Sequence, residues 1–151
     1  MRVHLGSDHA GHDLRLRLIA RLEAQGHVPV DHGPASLDPD DDYPGYCLAT
    51  AEATVADPGS LGVVIGGSGN GEAIAANKVV GARCALAWIP EAAALGREHN
   101  DANVLSLSAR LYPPELAEAL LDTFLATPFS QDARHLRRIG QLADYERGRR
   151  S

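Results

Sequence analysis

Residues 61–72 read LGVVIGGSGNGE, an apolar run that passes directly into a glycine-rich stretch and ends on a carboxylate. The run at residues 61–65 is short, apolar and rich in Val and Ile, which predicts a strand covered on both faces. Residues 66–71 predict a loop, and residues 72–78 predict a short helix. A buried strand followed by a helix is the repeating unit of a parallel α/β sheet.

The rest of the chain repeats this alternation of short apolar runs and longer helical patterns. The sequence predicts further strands at 2–6, 28–31, 82–87 and 103–107, and helices at about 11–25, 44–56, 90–100, 113–126 and 132–147. This pattern predicts an α/β fold, a three-layer α/β/α sandwich with a five-stranded parallel sheet. We expect the strand order 2-1-3-4-5, in which ligands bind where strands 1 and 3 end.

Length and composition limit the classes of protein that this chain can belong to. Its 151 residues predict a single domain, 1–151, of ordinary globular composition, with 44% hydrophobic and 23% charged residues. The net charge of −6 argues against a nucleic-acid partner. No apolar run is long enough for a membrane span or a signal peptide, so we expect a cytoplasmic protein. With two cysteines, a disulfide scaffold is excluded and a cysteine zinc site is not expected.

Two groups of charged side chains are set apart from the predicted core. In the first predicted helix, three arginines should point away from the leucine face: Arg15, Arg17 and Arg21. The loop after the second strand carries a run of aspartates that lacks the glycine and glutamate spacing of a calcium loop. We interpret them as a solvated loop and a helix N-cap: Asp38, Asp40, Asp41 and Asp42.

The loop after the first strand places Asp8 and His9 at the predicted switch point. A carboxylate beside an imidazole offers two groups that can move protons near neutral pH. The alternative is structural, with Ser7 or Asp8 accepting hydrogen bonds from the first N–H groups of the following helix. Both interpretations remain open from these residues alone.

The glycine-rich loop can turn several backbone N–H groups toward an anion. It lacks the Gly-Lys-Ser/Thr ending of a nucleotide-binding P-loop and the glycine spacing of a dinucleotide site. A simple tight turn is the alternative. Glu72 either complements the helix N-terminus or acts as a general base beside an oxyanion site.

A second set of polar residues lies farther along the chain. His99 follows Arg97 and Glu98 before the fifth strand, where a surface position at a helix end is the plainer interpretation. Arg110 follows the fifth strand. Arg134 and Arg138 are one helical turn apart, which suits either a solvated basic face or a clamp for phosphate oxygens.

Taken in chain order, these motifs resemble a known family. Residues 8–11 (DHAG), 42–44 (DYP), 67–72 (GSGNGE), 74–78 (IAANK) and 97–100 (REHN) resemble the type B ribose-5-phosphate isomerases, a family that also includes galactose-6-phosphate and allose-6-phosphate isomerases. The resemblance runs from Arg2 to about Tyr145. It implies a Rossmann-like (flavodoxin-like) subunit, an enediolate mechanism without metal or cofactor, and a homodimer, or a tetramer, with active sites at the subunit interface.

The resemblance also implies a role for each matching residue. One branch of the family carries a cysteine base at the position of Gly66, whereas a second branch carries a glutamate that Glu72 matches. The implied catalytic residues are Glu72 for proton transfer, Asp8 and His99 for ring opening, and Ser68 for the enediolate oxygen. The implied substrate-binding residues are His9, Tyr43, Gly67, Gly69, Asn70, Gly71, Asn100, Arg110, Arg134 and Arg138.

Two other functions remain to be weighed against ribose 5-phosphate isomerisation. One is the same chemistry on allose 6-phosphate, galactose 6-phosphate or a tetrulose 4-phosphate, because the sequence does not give the size of the pocket. The other is a regulator that binds phosphate or a nucleotide without catalysis, since a fold does not determine a function. A protein that only binds has no need of Glu72, Asp8 and His99 together.

Overall fold

Five strands alternate with six α-helices in the computed structural model, which describes residues 1–148. The strands are β1 (Arg2–Ser7), β2 (Val28–Asp31), β3 (Leu61–Gly66), β4 (Cys84–Leu86) and β5 (Val104–Ser108). The helices are α1 (His12–Ala24), α2 (Tyr43–Ala56), α3 (Asn70–Ala76), α4 (Pro90–Asn100), α5 (Pro114–Ala126) and α6 (Ala133–Glu146). A 3₁₀ turn at His9–Gly11 precedes α1.

All strand pairs are parallel, which confirms the predicted class of fold. Val3 of β1 lies beside Leu61 of β3, and Ile65 of β3 lies beside Leu107 of β5. We call the edge where the strands end the carboxyl edge, and the edge where they begin the amino edge. β1 and β3 are neighbours, so the predicted switch point between their ends is present.

The predicted strand order is wrong at one side of the sheet, where the observed order is β2-β1-β3-β5-β4. β5 is buried along its whole length and lies inside the sheet, whereas the three residues of β4 are half-buried and form an edge strand. β4 is also shorter than predicted. The side chain of Asn77 takes the place of a strand neighbour there, because it bonds both the N–H and the carbonyl of Cys84, at 2.8 and 3.0 Å.

Helices cover both faces of the sheet and enclose two separate cores. Helices α1, α4 and α5 pack on one face around a leucine-rich core that includes Leu14, Leu18 and Leu22. Helices α2 and α3 pack on the other face around smaller side chains. A Cβ at Gly6 or Gly62 would overlap a threonine of α2, so these glycines allow α2 to approach the sheet closely.

Helix α6 packs against α4 and is otherwise largely exposed. Within α6, His135 is buried, while Leu136, Leu142 and Tyr145 present apolar surface to solvent. None of the helices in the part of the chain that the structure describes is long and apolar enough to cross a bilayer. Because α6 is strongly amphipathic and these three side chains are exposed, the helix has an apolar face that is uncovered in the single chain.

Arg15, which the sequence pattern sets apart from the leucine face, is nevertheless buried, because its side chain is 1% exposed. Its guanidinium donates to Ser7 Oγ at 2.8 Å and to the Pro34 carbonyl at 2.5 Å, and its Nε lies 3.0 Å from Asp31 Oδ1. A sequence pattern places Arg15 off the leucine face but does not show that the 31–34 loop folds over it. Arg15 thereby ties the end of β1 to the loop that follows β2.

We expect Arg15→Met to destabilise the fold by about 2–4 kcal/mol, because it leaves buried hydrogen-bond acceptors without a donor. Arg17→Met, on the same helix, removes only exposed ion pairs with Glu115 and Glu118, and should change stability by less than about 1 kcal/mol. Urea unfolding of both variants measures the difference. Equal losses in the two variants would contradict the anchoring role of Arg15.

Candidate active site

The carboxyl edge brings together most of the residues singled out in the sequence. The loops after β1, β3 and β5 and the start of α2 meet there. Gly71 packs against the ring of Tyr43, and Gly67 lies beside the Arg110 guanidinium. The residues of this group are Asp8, His9, Tyr43, Gly67, Ser68, Gly69, Asn70, Gly71, Glu72 and Arg110.

Glu72 is a buried carboxylate in the first turn of α3 and is 4% exposed. A Cβ built at Gly66 would overlap the Oε1 and Cδ atoms of Glu72. The carboxylate therefore occupies the space that a side chain at position 66 would fill. The glycine at the end of β3 and the glutamate in the next helix therefore depend on each other, because only glycine at position 66 leaves room for this carboxylate.

The surroundings of Glu72 favour its protonated form. Burial raises the pKa of the Glu72 carboxyl, and the nearby Asp8 carboxylate raises this pKa further. The backbone N–H groups of Glu72 and Gly69 act in the opposite direction, but the pKa stays above its ordinary value. A carboxylate that is desolvated and has a raised pKa is a stronger base than a surface glutamate.

Asp8 has the structural role that was one of the two interpretations of the sequence. Its side chain caps the 3₁₀ turn by accepting from the N–H groups of Ala10 and Gly11, at 3.0 and 3.4 Å. The turn lies close to the end of β3, since a Cβ at Gly11 would press on the Ile65 carbonyl. This packing holds the Asp8 carboxylate at the switch point, where it acts electrostatically on Glu72.

The interpretation of Asp41 as a solvated residue is wrong. Its side chain is 7% exposed and accepts from the backbone N–H of His9 at 2.8 Å. The same oxygen, Oδ1, lies 2.9 Å from His9 Nδ1. The run of aspartates gives no sign of which member turns inward, because the contact depends on how the 38–42 loop lies against the end of β1.

Two serines of β5 that were not singled out in the sequence hold the glycine loop. Ser106 Oγ donates to the Gly69 carbonyl and Ser108 Oγ donates to the Gly67 carbonyl, both at 2.7 Å. In a planar peptide the N–H of the next residue points the other way, so the N–H of Ser68 faces away from β5. The alternation of serine and leucine at 105–108 was the available signal, because a buried strand rarely carries hydroxyls without partners.

Within the loop itself, Gly69 has φ of +82° and lies against the Leu107 backbone, a position that a larger residue would strain. Ser68 Oγ lies 3.2 Å from both the backbone N and the side-chain Nδ2 of Asn70, and accepts from both. These contacts give the loop a defined shape before any ligand binds. A preformed turn of N–H groups beside Glu72 can stabilise negative charge that develops on a bound oxygen.

A smaller group of the singled-out residues lies at the amino edge instead. Helix α4 starts beyond β4 at the carboxyl edge and runs about 16 Å, at 1.5 Å per residue, to end near the start of β5. Its last residues are therefore far from Glu72 within one chain. The residues of this group are His99, Asn100, Arg134 and Arg138.

His99 stacks on a buried histidine that the sequence did not mark as part of a site. The ring centroids of His99 and His135 are 4.3 Å apart, and Ser130 Oγ lies 2.8 Å from His135 Nδ1. Burial and the neighbouring His99 lower the pKa of His135. His135 lies next to Arg134 in the chain, but only the packing of α6 on α4 brings it against His99.

One group of side chains among residues 1–148 has the composition and spacing to hold a metal ion. Ligand atoms of Asp8, His9 and Asp41 lie within 4.8 Å of one another. The hydrogen bond between His9 Nδ1 and Asp41 already occupies one pair of these atoms. A metal at this place would compete with that bond for the same nitrogen.

Comparison with known proteins gives a consistent set of relatives. A family model described as Ribose/Galactose Isomerase matches residues 3–142. Ribose-5-phosphate isomerase B of Mycolicibacterium paratuberculosis is 58% identical over 147 residues, covering 97% of this chain and 92% of that protein. Solved structures agree with the fold. Ribose-5-phosphate isomerase B of Clostridium thermocellum superposes with a TM-score of 0.94 at 37% identity, covering 98% and 99% of the two chains.

A second solved structure contains a sugar phosphate. It is ribose-5-phosphate isomerase B of Mycoplasma genitalium with bound ribulose-5-phosphate, which superposes with a TM-score of 0.93 at 36% identity. The superposition covers 97% of this chain and 96% of that one.

Because folding raises the pKa of Glu72, its ionised form opposes folding at neutral pH. We expect Glu72→Gln to unfold at a higher temperature than the unaltered protein at pH 7–8. The gain should shrink as the pH falls below the ordinary glutamate pKa of 4.5, where Glu72 is protonated in both states. Thermal melts across this pH range measure the difference in unfolding temperature, with Glu52→Gln, at an exposed position, as the control. A Glu72→Gln protein that melts well below the unaltered one at pH 7–8 would contradict this.

Proposed function

The chain belongs to the ribose/galactose isomerase family, and we propose that it interconverts D-ribose 5-phosphate and D-ribulose 5-phosphate with Glu72 as the general base. The family match and the names of relatives that share more than half of its residues support the reaction. The observation that supports the base is the buried Glu72 carboxylate beside Gly66 and the glycine loop.

The reaction is an oxidation–reduction within one molecule. The base takes the proton from C2 of the open-chain aldose, which leaves an enediolate. The hydroxyl proton then moves from O2 to O1, and the base returns the carbon-bound proton to C1. C1 is thereby reduced from aldehyde to alcohol, and C2 is oxidised to a ketone. Because the proton at C2 is very weakly acidic, the base needs donors that meet the developing oxyanion. Ser68 and the N–H groups of the glycine loop are the proposed donors.

Asp8 and His99 are proposed to open the sugar ring by moving a proton between the anomeric hydroxyl and the ring oxygen. The proposed ligands of substrate hydroxyls and phosphate lie at both edges: Asn100 and Tyr43 for the sugar, and His9, Arg110, Arg134 and Arg138 for the phosphate. Arginine and protonated histidine suit phosphate because they donate charge-assisted hydrogen bonds. Neither a metal nor a cofactor enters this mechanism, so the reaction is expected to proceed with EDTA present.

We propose that the working unit is a homodimer in which two edges from different subunits complete one active site. Glu72 is at the carboxyl edge, while His99 is at the end of α4 near the amino edge, so one chain does not bring them together. The exposed apolar face of α6, which includes Leu142 and Tyr145, supports the presence of a covering partner. A tetramer remains the larger alternative, and the cytoplasmic location remains a prediction.

Other sugar phosphates, namely allose 6-phosphate, galactose 6-phosphate and a tetrulose 4-phosphate, remain alternatives for the same site. The relative kcat/KM values for these substrates and ribose 5-phosphate decide among them. The remote alternative, a non-catalytic regulator, predicts no turnover of any of them.

Glu72→Gln is expected to lower kcat for ribose 5-phosphate by about 10²–10⁴-fold, the usual contribution of a general base. Gly66→Ala should also lower kcat, because the added methyl group displaces the Glu72 carboxylate without removing it. The measurement is direct conversion of ribose 5-phosphate to ribulose 5-phosphate with EDTA present.

Gly45→Ala is the matched control, since a Cβ at Gly45 meets no atom within 4 Å, and it should retain activity. Circular dichroism checks that each variant is folded. Turnover by Glu72→Gln close to that of the unaltered enzyme would refute the assignment of the base.

Mixing two inactive variants tests the shared active site. When Glu72→Gln and His99→Asn chains are unfolded and refolded together, half of the dimers are mixed, and each mixed dimer has one intact site. The mixture should regain about one quarter of the activity of the unaltered enzyme.

The control pairs Glu72→Gln with Asp8→Asn, whose altered residues lie at the same edge of one chain. No mixed dimer of this pair has an intact site, so its activity should stay at the level of the parents. Failure of the first mixture to exceed its parents would contradict a site shared between subunits.

A further inference from the structure

Asp41 holds His9 at two points. One carboxylate oxygen accepts from the His9 backbone N–H at 2.8 Å and lies 2.9 Å from the ring nitrogen Nδ1. The Asp41 side chain is 7% exposed, whereas the His9 side chain is 32% exposed. An almost buried carboxylate therefore restrains both the backbone and the ring of a residue that stays open to ligands.

This arrangement determines which ring nitrogen is left for a ligand. A carboxylate accepts hydrogen bonds, so His9 must carry a proton on Nδ1 to bond with Asp41. Nε2 is then the nitrogen directed away from this bond. When the ring is protonated, Nε2 becomes a charged donor of the kind that binds phosphate oxygens.

We propose that Asp41 is a positioning residue that fixes His9 with Nδ1 on the carboxylate and leaves Nε2–H to bind the substrate phosphate. This proposal rests on the proposed function, which assigns His9 to the phosphate. Asp41 acts through His9 and does not itself touch the substrate. The negative charge of the Asp41 carboxylate would by itself repel a phosphate. Because the positively charged His9 ring lies between them, the carboxylate instead stabilises the cation that binds the phosphate.

The charges around His9 favour its protonated form. The hydrogen bond to Asp41 raises the pKa of His9 against a smaller effect of burial, and the Asp8 carboxylate, 3.9 Å from Nδ1, adds to the rise. Burial acts to raise the pKa of the Asp41 carboxyl, but the hydrogen bonds from His9 outweigh it and hold that pKa low. Arg15 from α1 and Tyr46 from α2 also act on Asp41.

The raised pKa of His9 determines how the KM for a phosphate substrate depends on pH. In the unaltered enzyme His9 keeps its proton to a higher pH than an ordinary histidine, so the KM for a phosphate substrate stays low over a wider range. With a neutral residue at position 41, the proton is lost at lower pH, and KM rises earlier. The carboxylate of Glu72 is not altered, so kcat should change little.

The test compares Asp41→Asn with Asp40→Asn, which neutralises the exposed neighbouring carboxylate of the same loop. At pH 7.5 we expect Asp41→Asn to raise the KM for ribose 5-phosphate by about tenfold, the effect of weakening one charge-assisted hydrogen bond. Its kcat should stay within about twofold of the unaltered value, and Asp40→Asn should change neither constant. A fall in kcat with KM unchanged would overturn the proposal.

Nuclear magnetic resonance of the histidine rings gives a readout that does not depend on catalysis. The ring of His9, assigned by its absence in His9→Gln, should titrate at lower pH in Asp41→Asn than in the unaltered protein. Inorganic phosphate should raise the titration pH of His9 in the unaltered protein. Identical titration of His9 in the two proteins would overturn the role of Asp41, even if ribose 5-phosphate is not the substrate.

One measurement needs no variant and so remains decisive if Asp41→Asn fails to fold. Above its titration, His9 in the unaltered protein should carry its single proton on Nδ1, opposite to the Nε2–H form that free histidine prefers. The ¹⁵N chemical shifts of the ring distinguish the two forms. A predominant Nε2–H form would show that Asp41 does not fix the ring. If this readout succeeds while ribose 5-phosphate is not turned over, only the proposed function fails.

Discussion

The carboxylate of Glu72 lies where any residue other than glycine at position 66 would place its side chain. This constraint links the end of β3 to the first turn of α3, and the surrounding structure is arranged to keep the carboxylate buried. The glycine loop between them needs a left-handed residue at Gly69, and the hydroxyls of Ser106 and Ser108 hold its carbonyls against β5. A carboxylate that is buried and fixed in this way is desolvated before any ligand arrives, as the proposed role of Glu72 as a base requires.

The same packing explains why a second copy is needed in the proposed mechanism. In a parallel sheet, the loops that lead from strands into helices lie at the carboxyl edge. Each helix then runs back, so that its last residues lie at the opposite edge. His99 is at the end of such a helix, where its ring lies against the ring of His135, and Ser130 Oγ lies within hydrogen-bond distance of His135. A second copy can bring His99 to Glu72, whereas a rearrangement within one chain would have to break the α/β packing.

Loops at the carboxyl edge are held by charged side chains whose burial the sequence patterns do not indicate. Arg15 is buried and joins Ser7 to the Pro34 carbonyl, and Asp41 turns inward to bond with His9. Arg15 supplies a donor to buried acceptors, and the Asp41 carboxylate supplies an acceptor to the His9 backbone N–H. The loops that follow β1 and β2 are therefore positioned by polar contacts, while the apolar cores position the sheet beneath them.

The sequence by itself determined the local elements and most of the candidate site residues. The buried strand at 61–65, the glycine loop and the leucine face of α1 follow from short-range patterns, and so do Asp8 and Glu72 as candidate site residues. Only the tertiary structure decided the place of β5 inside the sheet, the burial of Arg15 and Asp41, and the stacking of His135 on His99. These features depend on contacts between residues far apart in the chain, and hydrophobic periodicity carries no information about which polar residue meets which.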